Sequence, residues 1–415
     1  MQAGYRIVGT HEVSDVCVIN TCSVTHVGER KSRQAIRKMR RLNPDTIIAV
    51  TGCYAQLDPD TIAGIEGVRV IVGTQDRSRI VDFVEACQVD GGVQNRVRDI
   101  LPTTDFENLN LYGGAVEHTR AYVKIQEGCG NFCTFCIIPY TRGRLKSRRP
   151  EDIYAEAARL VSQGYKEIIL TGIHLGNYGQ DLGGKNRLSD VVHLLLRETD
   201  IRRIRLGSIE SVELSEELIT LLATEPRLCP HLHLPIQSGS ERVLQMMRRH
   251  YRLSDYLALI NDLRQRIPDI ALTTDLIVGF PGETEEMFRE TLCTLQDVGF
   301  ADVHIFPYSR RKGTPAADFP NQITEAEKKE RVHRAEEVVR RAARSYAQQF
   351  IGKDVDVLVE SRLQSGHFEG MSAHYHRVRL VNEVPQTGEI YATHIIDADD
   401  QGLIGRAYVR QEALS

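Results

Sequence analysis

Tryptophan is absent from this 415-residue chain, and aromatic residues make up only 6% of it. No run of 18 apolar residues occurs, which argues against a transmembrane helix. The opening MQAGYRIVGTHEVSDV has no basic segment followed by an apolar stretch and does not read as a signal peptide. Neither sign of charge dominates, since 52 basic and 56 acidic residues leave a net −4. With 41% hydrophobic residues this is an ordinary globular composition, and the length predicts two or three domains. The nine cysteines are odd in number and clustered. That favours ligand chemistry in a reducing cytosol over a disulfide framework, so a cytoplasmic protein is expected.

A fourth cysteine is missing where three stand together. Cys129, Cys133 and Cys136 lie in EGCGNFCTFCIIPYTRGR, with the spacing CxxxCxxC. Three thiolates can hold three irons of a [4Fe–4S] cube and leave the fourth open to a small chelating molecule; ferredoxin-type sites place four. A structural zinc site is the alternative, but it wants four ligands in close pairs. No Cys or His follows Cys136 within ten residues, and His118 is eleven before Cys129. Phe132 and Phe135 could shelter a cluster from water, or simply pack the loop.

The near-neutral sum hides basic patches. Arg30 to Arg41, RKSRQAIRKMRR, holds seven basic residues in twelve and no acidic one. Arg33, Arg37 and Arg41 repeat every four residues, along one face of an expected helix. RGRLKSRR, from Arg142 to Arg149, adds five more just after the cysteine loop. Such patches are often only solvated surface, yet two of them suit a phosphate backbone. The candidate contacts are Arg30, Lys31, Arg33, Arg37, Lys38, Arg41, Arg144, Lys146 and Arg148.

Along the chain, residues 1–90 alternate short apolar strands with helices, the pattern of a small parallel α/β domain. Residues 91–118 have no period and read as a linker. From 119 the rhythm sharpens. Strands are expected at 121–126, 167–171, 203–207, 231–235, 272–278 and 302–307, with helices at 150–163, 188–199, 215–224, 254–266 and 284–298. Six βα repeats predict an open (β/α)6 arc, short of a closed eight, with the cysteine loop after the first strand. Residues 324–349 predict one long helix that closes this domain, which spans 119–349. From 350 to 415 the period changes to two, and short strands broken by Gly and Asp predict a small β-barrel.

Longer motifs then carry a resemblance. VINTCSV (18–24), VTGCYAQ (50–56), VGTQDR (72–77), EGCGNFCTFC (127–136), TGIHLGNYG (171–179), LPIQSGS (234–240), MMRRHY (246–251) and DLIVGFPGET (275–284) together resemble the methylthiotransferases. These are radical S-adenosylmethionine enzymes with an N-terminal cluster domain, a central barrel arc and a C-terminal TRAM domain. The resemblance covers nearly the whole chain. It implies that the Cys129/Cys133/Cys136 cluster reduces bound S-adenosylmethionine to a 5′-deoxyadenosyl radical, which takes hydrogen from an unactivated C–H. A second [4Fe–4S] cluster supplies or holds the inserted sulfur, another S-adenosylmethionine gives the methyl group, and a reducing partner supplies electrons.

Cys22 and Cys53 fall on the second and third ligand positions of that second cluster. The first belongs to a GCxxN-type segment that this chain lacks, so its start is expected to lie downstream of the natural one or to be truncated. Cys17 is either a substitute ligand or a core thiol; Cys87, Cys229 and Cys293 match no cluster position. For S-adenosylmethionine the resemblance points to Gly172, Ser208, Glu210, Gln237, Val278 and Gly279 at strand ends, with Arg249 for the carboxylate. The implied substrate is N6-threonylcarbamoyladenosine at tRNA position 37, held through the anticodon stem-loop by a monomeric enzyme. N6-isopentenyladenosine 37, a ribosomal-protein aspartate, or tRNA binding without sulfur insertion are the alternatives.

Overall fold

The computed structural model describes residues 4–90, 92–109, 119–183, 187–382 and 386–409. Gly91 and residues 110–118 of the expected linker, with His118, lie outside these. Two compact units emerge. One holds the described residues up to 109 together with 127–146 and 309–318; the other holds the rest.

In the first unit, strands β1 (Val16–Thr21), β2 (Ile47–Gly52), β3 (Val68–Ile71) and β4 (Gln94–Asn95) form one parallel sheet in that order. Alternation along β2 sends Ile48 and Val50 to one core with Ile36 and Tyr54, and a register shift between β2 and β3 lets Val68 and Ile71 both join it. Ala49 and Val70 face the other core, with Phe83, Val84 and Cys87. The helix His26–Leu42 starts where the Thr25 hydroxyl accepts from the Gly28 N–H. β4 was not expected: its two residues carry no period, and only pairing with β3 defines it.

In the second unit, β5 (Arg120–Lys124) begins the arc. Short strands β6 (Gln126–Glu127) and β7 (Lys146–Ser147) bracket the cysteine loop in sequence. Then come β8 (Glu167–Thr171), β9 (Arg203–Leu206), β10 (His231–His233), β11 (Ala271–Val278) and β12 (Asp302–Pro307). β5, β8 and β9 pair in parallel, as do β10, β11 and β12. Single bridges Ile204–Leu228 and Ser208–His233 join the halves into six strands. One face of each strand feeds a large core that includes Val123, Leu170, Ile204, Leu232 and Leu276. The intervening helices match the periods closely, for example Pro150–Ser162, where Pro opens the first turn.

The long helix Glu325–Gln348 starts in a Thr324/Glu327 capping box and buries Ala335, Val339 and Tyr346. Beyond it, β13 (Asp354–Arg362), β14 (Phe368–Ser372), β15 (Arg377–Leu380), β16 (Ile390–Asp399) and β17 (Gly402–Tyr408) close a barrel. β14 has no alternation to reveal it. Gly370 lies at its centre because a Cβ there would stand 2.2 Å from the Leu358 carbonyl oxygen.

Candidate cluster and cofactor sites

The cysteine loop belongs to the first unit, and its backbone is tightly constrained. Gly128 has φ +79°, and a Cβ on it would come within 1.9 Å of the Arg144 carbonyl oxygen. The Cys129 N–H donates to Gly143 O at 3.1 Å, and the Cys136 N–H to Cys133 O at 2.9 Å. Phe132 takes the left-handed φ of +45°, a conformation that costs energy in a non-glycine residue. Its ring is exposed and meets Tyr140 edge-on at 5.6 Å, while Phe135 is half-buried. Cys133 is buried; Cys129 and Cys136 are partly exposed.

The Asn131 N–H lies 3.5 Å from Cys129 Sγ, a donor suited to a thiolate. Thiolates around one zinc ion stand ~3.8 Å apart, as Zn–S bonds of about 2.3 Å require. Among the described residues, only His233, Asp275 and His304 bring ligand atoms of three such groups within 4.8 Å of one another. The three loop thiols do not form such a group among the described residues, and as soft sulfur donors they suit an iron–sulfur cluster.

The sheet brings Cys22 and Cys53 to one edge. Thr21, the last residue of β1, is in register with Gly52, the last of β2, so each thiol follows the C-terminal end of a neighbouring strand. Gly52 has φ +100°, and a Cβ on it would stand 2.4 Å from Thr21 O; only glycine lets the chain turn here. Cys17 pairs with Ile48, far back along the strand, and burial pushes its thiol pKa up. Cys17 is therefore a sheet thiol, remote from the edge where Cys22 and Cys53 emerge. Cys87 and Cys229 are buried and Cys293 is exposed.

Arg142 is the residue that sequence reasoning did not single out. Its Nε donates to Cys53 Sγ at 3.1 Å, and its guanidinium also pairs with the buried Glu127. Glu127 in turn meets Arg77 at 3.4 Å, and Arg77 meets Glu107 at 3.0 Å. Burial opposes the charge on Arg142, but Cys53 and Glu127 more than offset it and raise its pKa. Arg142 looked like one more member of a basic patch, and no periodicity separates it from Arg144.

The second unit gathers the residues expected for S-adenosylmethionine along the C-terminal ends of its strands. Gly172 packs against Gln126, whose Oε1 would lie 2.8 Å from a Cβ there and accepts from the His174 N–H at 2.6 Å. Ser208 bridges to His233, and Gln237, at φ +64°, exchanges backbone hydrogen bonds with Asp275 and Ile277. Val278 is buried, and the Gly279 N–H donates to Glu283 Oε2 at 2.6 Å. Arg249 forms an ion pair with Glu210 and donates to Pro235 O at 3.1 Å. Arg249, expected to meet the ligand carboxylate, is thus paired with Glu210.

The basic residues divide. Arg30, Lys31, Arg37, Lys38, Arg41 and Arg144 are exposed. Arg33 is half-buried and donates to Tyr54 Oη at 3.0 Å. Lys146 and Arg148 correct the expectation of a continuous surface patch: both are buried, and Arg148 is paired with Glu156. Neither can offer its charge to a phosphate backbone.

Comparison with known proteins completes the picture. Residues 123–294 match the Radical SAM superfamily, and residues 1–73 match Uncharacterized protein family UPF0004. The chain is 18% identical to the radical S-adenosylmethionine methyltransferase TsrM from Kitasatospora setae. The superposition covers 72% of this chain and 65% of that one, with a TM-score of 0.55, a likeness of fold. It is 36% identical to a tRNA-2-methylthio-N(6)-dimethylallyladenosine synthase of Clostridium tetani, over 91% of this chain and 84% of that protein. Threonylcarbamoyladenosine tRNA methylthiotransferase MtaB of Thermotoga maritima is 35% identical over 97% of this chain and 91% of its own length. The MtaB of Bacillus subtilis is 42% identical over 96% of this chain and 89% of its own length. On this near full-length identity, joined to the arc and its cysteine loop, the chain belongs to the radical S-adenosylmethionine methylthiotransferases.

Proposed function

We propose that this protein is a tRNA methylthiotransferase that converts N6-threonylcarbamoyladenosine at position 37 to its 2-methylthio derivative. The observation that carries this reading is the 42% identity to a threonylcarbamoyladenosine tRNA methylthiotransferase along almost the whole chain. Two separate cysteine sets support it, as sulfur insertion by this family needs two clusters. Cys129, Cys133 and Cys136 would hold one cluster, and Cys22 and Cys53 would contribute to the other. With S-adenosylmethionine bound, the first supplies one-electron cleavage chemistry that no side chain can provide.

The protein's own part is to hold and to shield. The constrained loop would fix three thiolates, the half-buried Phe135 would limit water access, and Arg142 would steady the Cys53 sulfur. Gly172, Ser208, Glu210, Gln237, Arg249, Val278 and Gly279 would seat S-adenosylmethionine along the strand ends. The exposed basic face at residues 30–41, with Arg144 and the C-terminal barrel, would hold the anticodon stem-loop by phosphate contacts. The domains we assign are 1–90, a linker 91–118, the radical core 119–349 and the TRAM barrel 350–415, in a monomeric cytoplasmic enzyme. Among the described residues, no helix is long and apolar enough to cross a membrane.

The test is the nucleoside content of tRNA from cells that make this protein in a background without the modification. A methylthio group on threonylcarbamoyladenosine is expected. Its appearance only on the isopentenyl nucleoside would shift the assignment to that substrate, and S-adenosylmethionine cleavage without product would leave a tRNA-binding protein.

A further inference from the structure

Three side chains outside the sites described above meet on the inner face of the arc. His233 ends β10, Asp275 lies within β11 and His304 within β12. His233 is opposite Thr273, and His304 is opposite Asp275. In β11, Leu272, Leu276 and Val278 enter the large core, so 273 and 275 take the other face, and register carries both histidines there with them.

Their polar atoms converge. His233 Nε2 stands 3.4 Å from Asp275 Oδ2, and His304 Nδ1 stands 3.2 Å from Asp275 Oδ1. One ligand atom from each residue lies within 4.8 Å of the other two. Ligands held at ~2.0–2.2 Å from one ion are themselves roughly 3.0–3.5 Å apart, and each histidine nitrogen stands at such a distance from an Asp275 oxygen. The side chains are 14%, 28% and 47% exposed for His233, Asp275 and His304, so the cluster opens on one side.

The surroundings orient His233 for such a role. Thr273 Oγ1 lies 2.9 Å from His233 Nδ1 and 3.1 Å from His231 Nε2. A hydroxyl has one proton and can give it to only one of these rings. If the proton goes to His231, the oxygen accepts from His233 Nδ1–H, and His233 Nε2 is left as a lone pair aimed at a carboxylate oxygen. That tautomer is the one a metal ligand needs, with the Nε2 lone pair free to meet a cation held by Asp275. Outer hydrogen bonds that fix a ring's tautomer in this way accompany most histidine ligands. His304 has a further carboxylate, Asp302, 3.7 Å from its Nε2.

We propose that His233, Asp275 and His304 form a binding site for one divalent first-row transition-metal ion. Two imidazoles and a carboxylate occupy one side of the ion, and the remaining positions open toward the interior of the arc for water or an oxygen ligand. This donor set suits manganese, iron or zinc and differs from the soft thiolates assigned to the clusters. It is independent of the substrate assignment.

The probe is manganese(II), which favours oxygen and imidazole over thiolate, titrated into the cluster-loaded protein and followed by loss of the free-ion EPR signal. The parent should bind one ion that Asp275→Asn binds at least tenfold more weakly. Thr273→Val, which keeps all three ligands, should weaken it roughly 10-fold or more by freeing the His233 ring. Should Asp275→Asn fold poorly, His304→Gln at the more exposed ligand serves in its place. Equal manganese uptake by parent and ligand variants, or none by the parent, would reduce the cluster to a hydrogen-bonded trio only.

Discussion

Cys133 is the most enclosed of the three loop thiols, and its neighbours on both sides are tied by backbone hydrogen bonds to residues of the same loop. Replacing it should therefore remove a cluster ligand without unravelling the loop. Cys133→Ala is expected to abolish 5′-deoxyadenosine release from S-adenosylmethionine while leaving the circular dichroism spectrum unchanged. A second prediction at this scale concerns His376. Its ring packs 4.8 Å from Tyr346 and 4.9 Å from Phe350, and burial pushes its pKa down from 6.5 to about 3, helped by nearby His374. The unfolded chain then binds more protons than the folded one between these values. Stability should be full above pH 6.5 and fall by about 1.4 kcal/mol per pH unit as the pH drops through that window. Urea unfolding at pH 7.5, 6 and 5 measures this, and His376→Phe should flatten the dependence.

At the scale of an element, the helix His26–Leu42 has two faces with different work. Ile36 is buried on one side, and Arg33 and Arg40 are engaged there by Tyr54 and Glu66. Arg37, Lys38 and Arg41 stay exposed on the other. Removing their charge should cost little stability, because exposed charges contribute little to the fold. The double variant Arg37→Ala/Arg41→Ala is expected to weaken tRNA binding and to reduce the slope of log affinity against log salt by about 1.5 for two lost phosphate contacts. Filter binding between low and high salt measures it. An unchanged slope would move the tRNA contact away from this helix.

At the scale of the whole molecule, buried charge ties the C-terminal barrel to the arc within the second unit. Glu167 is fully buried between Arg203 and Arg205, each 2.9 Å away. Burial alone would raise the Glu167 pKa, but Arg205 and Arg203 hold it below its ordinary value. The same guanidiniums reach the barrel: Arg205 donates to Ser372 O at 2.9 Å and Ala373 O at 3.0 Å, and Arg203 to Met371 O at 3.2 Å. Tyr375 stacks on His231 at 4.3 Å beside them. Arg205→Met would leave a buried carboxylate short of one partner, a change that costs about 3–5 kcal/mol. Lower thermal stability is expected, with faster proteolysis in the 349–353 connection and a raised KM for tRNA. S-adenosylmethionine cleavage without tRNA should fall much less.

Much of this architecture was legible in the sequence, because a strand or helix writes its burial into a local period. The six arc strands, their helices and the long helix could all be read that way, the cysteine loop was read from its ligand spacing, and the motifs named the family. β4 and β14 could not, since two unpatterned residues and a glycine-centred strand acquire their identity from the partner they pair with. Charge was the least legible feature. Lys146 and Arg148 read as surface beside Arg144, yet the fold buries them, and Arg142 reads as the same patch yet lies against Cys53. Periodicity reports whether a residue faces in or out of its own element; register between strands far apart in sequence decides what it meets. That is why the sequence determined the elements and the ligand-rich segments. Only the tertiary structure decided that Cys22 and Cys53 share an edge without Cys17, that Glu167 ties barrel to arc, and that two histidines meet Asp275.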